Sequence, residues 1–355
     1  MGTHWMQEGR QVCILSTWDR SLAATFRLRH LLEEIRKQDC TSLITEGCVI
    51  FIRKNFRKKQ EVDETLTELV ELACQGPLSV IADEVGPVFE SENYIFPDFC
   101  ANLLDRCRSR GCDLHFWASS CYDNVAPEDL YDGGSEGWEL VHFTRSLRSP
   151  PSVLREIRLA VEITKDRTVR DYTDRGLPDH SDGPPVNWFQ HHVPQHGCTR
   201  VEDCVVCGGE VARFLCKELR IGLSTSCMGS NSKPHDTDGS LASSKSTPSL
   251  RYKDVLILSW TQLREDAPVL RALSSYNVPV CVMKDSDIEN VATAHSDVVW
   301  AARHHLIFGL MRKIVVVLNN YDDSKGKYIS IRLRAMSRCS SQLVVVCPPP
   351  ECEPD

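Results

Sequence analysis

The amino-acid sequence predicts an α/β protein with mostly parallel sheets. Short apolar runs alternate with amphipathic helical stripes at close spacing, which is the pattern of repeated strand–helix–strand units. The runs at 12–15, 78–82 and 343–346 consist mainly of Val, Ile and Leu, as expected of strands covered on both faces. Between them, residues 62–73 carry apolar side chains at helical spacing on one side.

The overall composition is that of an ordinary globular protein. A chain of 355 residues with 42% hydrophobic and 25% charged residues is long enough for two domains with their own cores. The net charge of −8 argues against a protein that coats nucleic acid through a general excess of basic residues. No apolar run approaches the roughly 18 residues of a membrane span, so we expect no membrane association.

The cysteines indicate a reducing compartment. There are 17 of them, an odd number, and they are scattered through strand-like and helix-like segments. A small secreted domain would instead show a dense, regular disulfide framework. We therefore expect reduced thiols and a cytoplasmic or nuclear location.

The first domain is assigned to residues 1–137. A short helix ends near Gly9, and an acidic, glycine-rich loop at 122–137 closes the domain. Its predicted strands are 12–15, 48–52, 78–82 and 114–117, and its predicted helices are 22–37, 62–73 and 97–111.

The second domain is assigned to residues 138–347. Residues 174–201 show little periodicity, residues 222–250 read as a disordered insertion, and 348–355 as a loose tail. The predicted strands are 138–143, 254–259, 278–283, 314–318 and 343–346, and the predicted helices begin at 149–151, 211 and 267. Strand 254–259, helix 267–276 and strand 278–283 are expected to form one βαβ unit.

Two adjacent carboxylates, Asp83 and Glu84, follow the apolar run 78–82 directly. In open α/β sheets ligands bind outside the carboxyl ends of the strands. One carboxylate there can hold a hydrated Mg²⁺ while its neighbour orients or deprotonates a water. The alternative is a surface turn after a strand, where Asp and Glu are common.

A second candidate is the pair Ser337–Arg338, which precedes the buried run 343–346. An arginine held there can face a nucleotide across a domain cleft. The alternative is a solvated or salt-bridged arginine, so this signal is weak by itself.

Taken in chain order, these segments resemble the motor core of superfamily 1 helicases, the UvrD-like P-loop NTPases with two RecA-like domains. The resemblance spans about residues 5–347. Its matching segments are 12–24 with Ser16 and Thr17, the Walker B-like Asp83–Glu84, 143–157 with Arg148, 308–317, and Ser337–Arg338.

The resemblance implies a role for each matched residue. Asp83 would hold Mg²⁺ through water, and Glu84 would activate the attacking water. Arg148 and Arg338 would reach the γ-phosphate of ATP from the second domain. The Ser16–Thr17 segment would contact single-stranded nucleic acid.

The sequence also departs from that family. A phosphate-cradling P-loop needs Gly-x-x-x-x-Gly-Lys-Ser/Thr, but the chain's only Gly-Lys, at 326–327, is followed by Tyr328. The family's Gly-Asp-x-x-Gln segment is absent after 114–117, and Met311 stands where the family has Glu.

These departures predict an incomplete first domain, without its first strand and P-loop, and weak or absent ATP hydrolysis by this chain. The alternative function is a non-catalytic interaction or regulatory protein that uses the same two-domain fold.

A third candidate is a zinc site. His196, Cys198, Cys204 and Cys207 include a Cys-x-x-Cys pair and can complete a tetrahedral set of ligands, with His191 and His192 nearby. The spacing is not that of a standard zinc finger, and the alternative is a group of reduced cysteines before a helix. If metal binds, a zinc-stabilised nucleic-acid binder without ATPase activity becomes a further reading.

Overall fold

The computed structural model describes residues 2–38, 49–85, 96–120, 139, 141, 148–159, 182–222, 250–319 and 335–348. In these residues the strands form one sheet of four and one of six, and every strand pair is parallel. The predicted α/β class with two parallel sheets is therefore confirmed. None of the described helices combines the length and apolarity needed to cross a membrane.

The first sheet has the strand order β2-β1-β3-β4. Its elements lie within a few residues of the predicted bounds. The strands are β1 (Gln11–Ser16), β2 (Val49–Arg53), β3 (Leu78–Ala82) and β4 (Leu114–Ala118), and the helices are α1 (Gly2–Gln7), α2 (Leu22–Gln38), α3 (Lys59–Gln75) and α4 (Phe96–Ser109).

Strand β1 is buried on both faces. Val12 and Ile14 pack on the side of α1 and α2, whereas Cys13 and Leu15 pack on the side of α3 and α4. The chain runs from β1 outward to β2 and then returns to β3 on the other side of β1. The strand order therefore reverses between β1 and β3, which is where open α/β sheets bind ligands at their carboxyl edge.

The second sheet has the strand order β5-β10-β9-β6-β8-β7. Its helices cover both faces, and a π-helical turn, Phe214–Glu218, continues the helix Val205–Arg213. The strands are β5 (Asn187–Gln190), β6 (Val255–Ser259), β7 (Val280–Val282), β8 (Val299–Arg303), β9 (Arg312–Leu318) and β10 (Cys339–Cys347), and the helices are α5 (Pro151–Leu159), α6 (Val193–His196), α7 (Val205–Arg213), α8 (Pro268–Ser275) and α9 (Ile288–Thr293).

Three features of the second sheet differ from the sequence-based prediction. Strand β5 lies inside the stretch without periodicity, since a four-residue edge strand with polar ends gives little signal. Helix α9 and strand β8 were not predicted. Because β8 lies between β6 and β7, these two strands are not the neighbours that a single βαβ unit would make them.

Helix α7 begins at Val205, six residues before the predicted start at 211. The reason is a local cap, because the Cys204 sulfur accepts a hydrogen bond from the backbone N–H of Cys207 at 3.3 Å. Cysteine is an unusual cap residue, so capping rules based on Ser, Thr, Asp and Asn did not find this start.

Several predictions fall outside the described residues. These are the loop 122–137, nearly all of the insertion 222–250 and the tail 348–355, and the strand 138–143 apart from Glu139 and Val141. The boundary between residues 137 and 138 therefore stays a prediction. All strands of the first sheet end by Ala118, and those of the second begin at Asn187.

The two sheets share core residues. Leu22 and Ala23, at the start of α2, are buried in the core of the second sheet. In the opposite direction, Phe308, between β8 and β9, is buried in the core of the first sheet, with its ring centroid 6.2 Å from that of Trp18. This exchange of apolar side chains fixes how the two sheets meet.

Gly309 makes the closest approach at this interface. Its φ of 75° lies in the left-handed region, and a Cβ placed there would be 2.5 Å from Ala24 Cβ and 3.2 Å from Glu84 Cγ. Only glycine accommodates both this backbone conformation and this contact.

We predict that Gly309→Ala lowers the free energy of unfolding by about 2–4 kcal/mol, because an unfavourable φ and a steric clash act together. Gly111→Ala is the matched control, since Gly111 has a φ of 64° but a Cβ added there would meet no atom within 4 Å. It isolates the backbone cost of about 1 kcal/mol. Equal urea midpoints for the two variants would contradict the described interface.

Candidate functional site

Asp83 lies at the carboxyl end of β3, beside the reversal in strand order. Its Oδ1 accepts hydrogen bonds from the Ser119 hydroxyl and, at 3.0 Å, from the backbone N–H of Glu84. Ser119 is itself held, because its N–H donates to Ala82 O at 2.9 Å and its carbonyl accepts from Val85 N–H at 2.8 Å. The end of β4 thus orients the Asp83 carboxylate.

Glu84 adopts a backbone conformation that is uncommon for its residue type. Its φ is 53°, in the left-handed region, which costs about 1 kcal/mol for a residue with a Cβ. The Trp18 indole N–H stabilises this turn by donating to Glu84 O at 2.7 Å. Strained residues of this kind concentrate at functional sites.

Arg338 reaches Glu84 from the second sheet. Its N–H donates to Ala335 O at 3.2 Å and its carbonyl accepts from Arg312 N–H at 3.0 Å, so the turn before β10 is pinned to β9. The guanidinium lies 5.5 Å from the Phe308 ring centroid, and its Nη1 is 3.9 Å from Glu84 Oε1. With side chains only 13% and 16% exposed, Arg338 and Glu84 form a largely buried ion pair between the sheets.

Arg148 lies near the same end of the second sheet but on the surface. Its Nη1 is 3.8 Å from Met311 Sδ, and the neighbouring Ser149 hydroxyl donates to Ser337 O at 3.1 Å. The structure therefore brings together three segments that the sequence analysis singled out. The reach of Arg148 to a phosphate stays a prediction.

Ser16 and Thr17 are fully buried. The Ser16 hydroxyl lies 2.8 Å from Ser21 Oγ and donates to Trp18 O at 3.2 Å, while Thr17 O accepts from Phe56 N–H at 2.9 Å. Because neither side chain is exposed, neither can contact a ligand in this conformation. Their contact with nucleic acid stays a prediction, and their visible role is to shape the turn that presents Trp18.

Sequence reasoning missed a group of cationic and aromatic side chains that lies at the carboxyl ends of β6 and β8 and includes Arg20, from the turn before α2. Trp260 stacks on His304 with ring centroids 4.8 Å apart and an interplanar angle of 9°. Burial first, and then the charges of Arg303 and Arg20, lower the pKa of His305 to about 4. We call Arg20, Trp260, Arg303, His304 and His305 the cationic edge. The run Arg303-His304-His305 was the sequence signal that could have pointed to this group.

A separate cluster lies around the start of α7. The ligand atoms of His191, His196, Cys204 and Cys207 all fall within 4.8 Å of one another. The predicted set contained Cys198 instead of His191; in the structure the Cys198 carbonyl lies 3.0 Å from His191 Nε2. Burial lowers the pKa of His191, which favours the neutral imidazole that metals bind.

Comparison with known proteins assigns no family. No protein-family model matches the sequence, and no curated protein matches it. Among solved structures, the DUF1998 helicase MrfA bound to DNA has a TM-score of 0.45 and 13% identity over 96% of this chain and 40% of that one. A second MrfA structure has a TM-score of 0.32 and 13% identity, over 98% and 48% of the two chains. The chain thus spans less than half the length of these structures.

Proposed function

We propose that this chain is the core of a superfamily 1 helicase-type NTPase whose nucleotide site lies between the two sheets. The observation that carries the proposal is the meeting of Glu84 and Arg338. They come from different sheets, their charged atoms are 3.9 Å apart, and Asp83 lies beside them at the carboxyl end of β3. A carboxylate on one wall of a cleft and an arginine on the other recur in enzymes that transfer phosphoryl groups.

The residues around Asp83 fit a hydrated Mg²⁺. Asp83 is a partly exposed carboxylate, the ligand type that Mg²⁺ prefers, and Ser119 and the Glu84 N–H hold it in one orientation. Bound Mg²⁺ would neutralise charge on the phosphates of ATP. Glu84 would orient the attacking water, and Arg338, with Arg148 nearby, would stabilise negative charge on the γ-phosphate.

The Glu84–Arg338 ion pair makes nucleotide binding and sheet contact mutually dependent. A triphosphate that binds Arg338 would compete with Glu84 for the guanidinium, because its negative charge would lie beside that carboxylate. Nucleotide binding would therefore loosen the contact near Gly309 and change the spacing of the two sheets. Such coupling between a ligand and two arrangements is what a motor domain uses.

A non-catalytic interaction or regulatory function is the second candidate. It is favoured by the way the chain's own side chains fill the interface, with Phe308 2% exposed and Arg338 engaged by Glu84. The chain also contains no Gly-x-x-x-x-Gly-Lys-Ser/Thr segment. In this reading the ion pair only holds the two sheets together.

We predict that the purified 355-residue chain hydrolyses ATP at well below about 1 per second, the low end of ordinary enzymes, because the phosphates lack a backbone cradle. Phosphate release by malachite green measures this rate. Turnover near or above 1 per second that Glu84→Gln abolishes would show that the site is complete without a P-loop.

Binding separates the two candidate functions. Fluorescent ATP with Mg²⁺ should bind weakly to the wild-type chain and less to Arg338→Ala, whereas Arg155→Ala, which removes an exposed ion pair with Asp182, should leave binding unchanged. Binding that is undetectable, or indifferent to Arg338, would favour the non-catalytic reading.

The cationic edge supports single-stranded nucleic acid as a partner. Arg20 and Arg303 supply positive charge for phosphates, and the half-buried Trp260 ring, which stacks on the buried His304, offers a face for a base. His305 adds no charge at neutral pH because of its lowered pKa. Sequence-independent binding through stacking and charge is the mode that this composition fits.

We predict that Trp260→Ala weakens binding to a fluorescent single-stranded oligonucleotide about fivefold or more, the loss expected for one stacked base. Trp188→Ala is the control, since Trp188 is 42% exposed on the edge strand β5 and outside the cationic edge. Fluorescence anisotropy with DNA and RNA oligonucleotides measures both. Equal losses in the two variants, or none, would rule out the cationic edge as the binding surface.

A further inference from the structure

We propose that His191, His196, Cys204 and Cys207 form a structural zinc site that ties the edge strand β5 to helix α7. The four ligands come from three short elements. His191 directly follows β5, His196 ends α6, and Cys204 and Cys207 lie at the cap and in the first turn of α7. The site does not depend on the proposed nucleotide function.

Four of the six distances between ligand atoms are close to those of a tetrahedral zinc centre, and all six are within 4.8 Å. Zinc bonds of about 2.3 Å to sulfur and 2.0 Å to nitrogen place neighbouring ligand atoms about 3.3–3.6 Å apart for N–N and N–S pairs. In the structure, His196 Nδ1 is 3.2 Å from His191 Nδ1 and 3.4 Å from each of Cys204 Sγ and Cys207 Sγ, and His191 Nδ1 is 3.3 Å from Cys207 Sγ.

The surrounding groups hold the ligands in metal-binding orientation. The Cys198 carbonyl lies 3.0 Å from His191 Nε2, so a proton on Nε2 leaves the Nδ1 lone pair facing the cluster. Metal-ligating histidines commonly donate their other nitrogen to a carbonyl in this way. The Cys207 N–H donates to Cys204 Sγ at 3.3 Å, which holds that sulfur beside the cluster. Two thiolates and two neutral imidazoles together neutralise the charge of Zn²⁺.

Burial indicates a closed structural site and not a catalytic one. His191, Cys204 and Cys207 are fully buried, and four protein ligands complete a tetrahedron without an open position for substrate. The two thiol protons would leave to solvent as zinc binds.

The position of the cluster explains what zinc would stabilise. Strand β5 has four residues and pairs only with β10 among the described strands, so its own hydrogen bonds hold it weakly. Helix α7 packs closely against α8, since a Cβ on Gly208 would lie 2.4 Å from Val269 O of α8. Zinc bound by His191 and Cys207 would therefore hold the weakly paired strand β5 against helix α7.

Metal analysis tests the proposal directly. The untagged 355-residue chain, dialysed after zinc reconstitution, should retain about one zinc per molecule by plasma mass spectrometry. Cobalt substituted for zinc should show the intense visible absorption of a tetrahedral site with thiolate ligands. A chain that keeps no metal, or faintly absorbing octahedral cobalt, would overturn the proposal in favour of hydrogen-bonded thiols and imidazoles.

Paired variants test the ligand set. His191→Ala and Cys207→Ser should lose the metal. Cys198→Ser and Cys216→Ser should keep it, because neither thiol belongs to the proposed set of four, although the Cys198 thiol contacts that of Cys204. Loss in Cys198→Ser with retention in His191→Ala would overturn the proposed set. If the ligand variants fail to fold, the wild-type cobalt spectrum and zinc content still decide whether the site exists.

Discussion

The exchange of apolar side chains between the two parallel sheets is the constraint on which the candidate site depends. Phe308 enters the first core and the start of α2 enters the second, so neither core is complete without the other unit. This exchange places Gly309 against Glu84 and brings Arg338 to the same point. The acid–arginine contact is thus a result of how the cores pack, and Trp18 adds to it by holding the strained turn at Glu84.

Strong periodicity made much of the fold predictable from sequence. Strands β1, β3, β9 and β10 each contain a short run made mainly of Val, Ile and Leu, and such runs are typical of parallel strands buried on both faces. The elements that were missed have weak local signals: β5 is a short polar edge strand, and β8 with α9 owes its place to sheet packing. Strand order was not predictable, because it follows from long-range pairing that adjacent sequence does not encode.

The candidate sites were likewise predictable only where the signal is local in the sequence. Asp83, Glu84 and Arg338 could be named because adjacent carboxylates after an apolar run and an arginine before another are local patterns. Trp18 and Phe308 lie in the matched segments 12–24 and 308–317, but their contacts could not be predicted, since an aromatic residue in a loop gives no sign of which core it enters. Likewise, the Cys-x-x-Cys pair was visible, but the position of His191 beside it depends on where β5 ends.

A double-mutant cycle on Glu84→Gln and Arg338→Gln tests the central claim, that the packing of the two cores brings these two side chains into contact between the sheets. Because both side chains are largely buried, the account predicts a coupling free energy of about 1 kcal/mol in urea unfolding. The exposed pair Arg155–Asp182, with side chains 58% and 68% exposed, provides the reference cycle. Coupling between Glu84 and Arg338 no larger than in that reference would contradict the account.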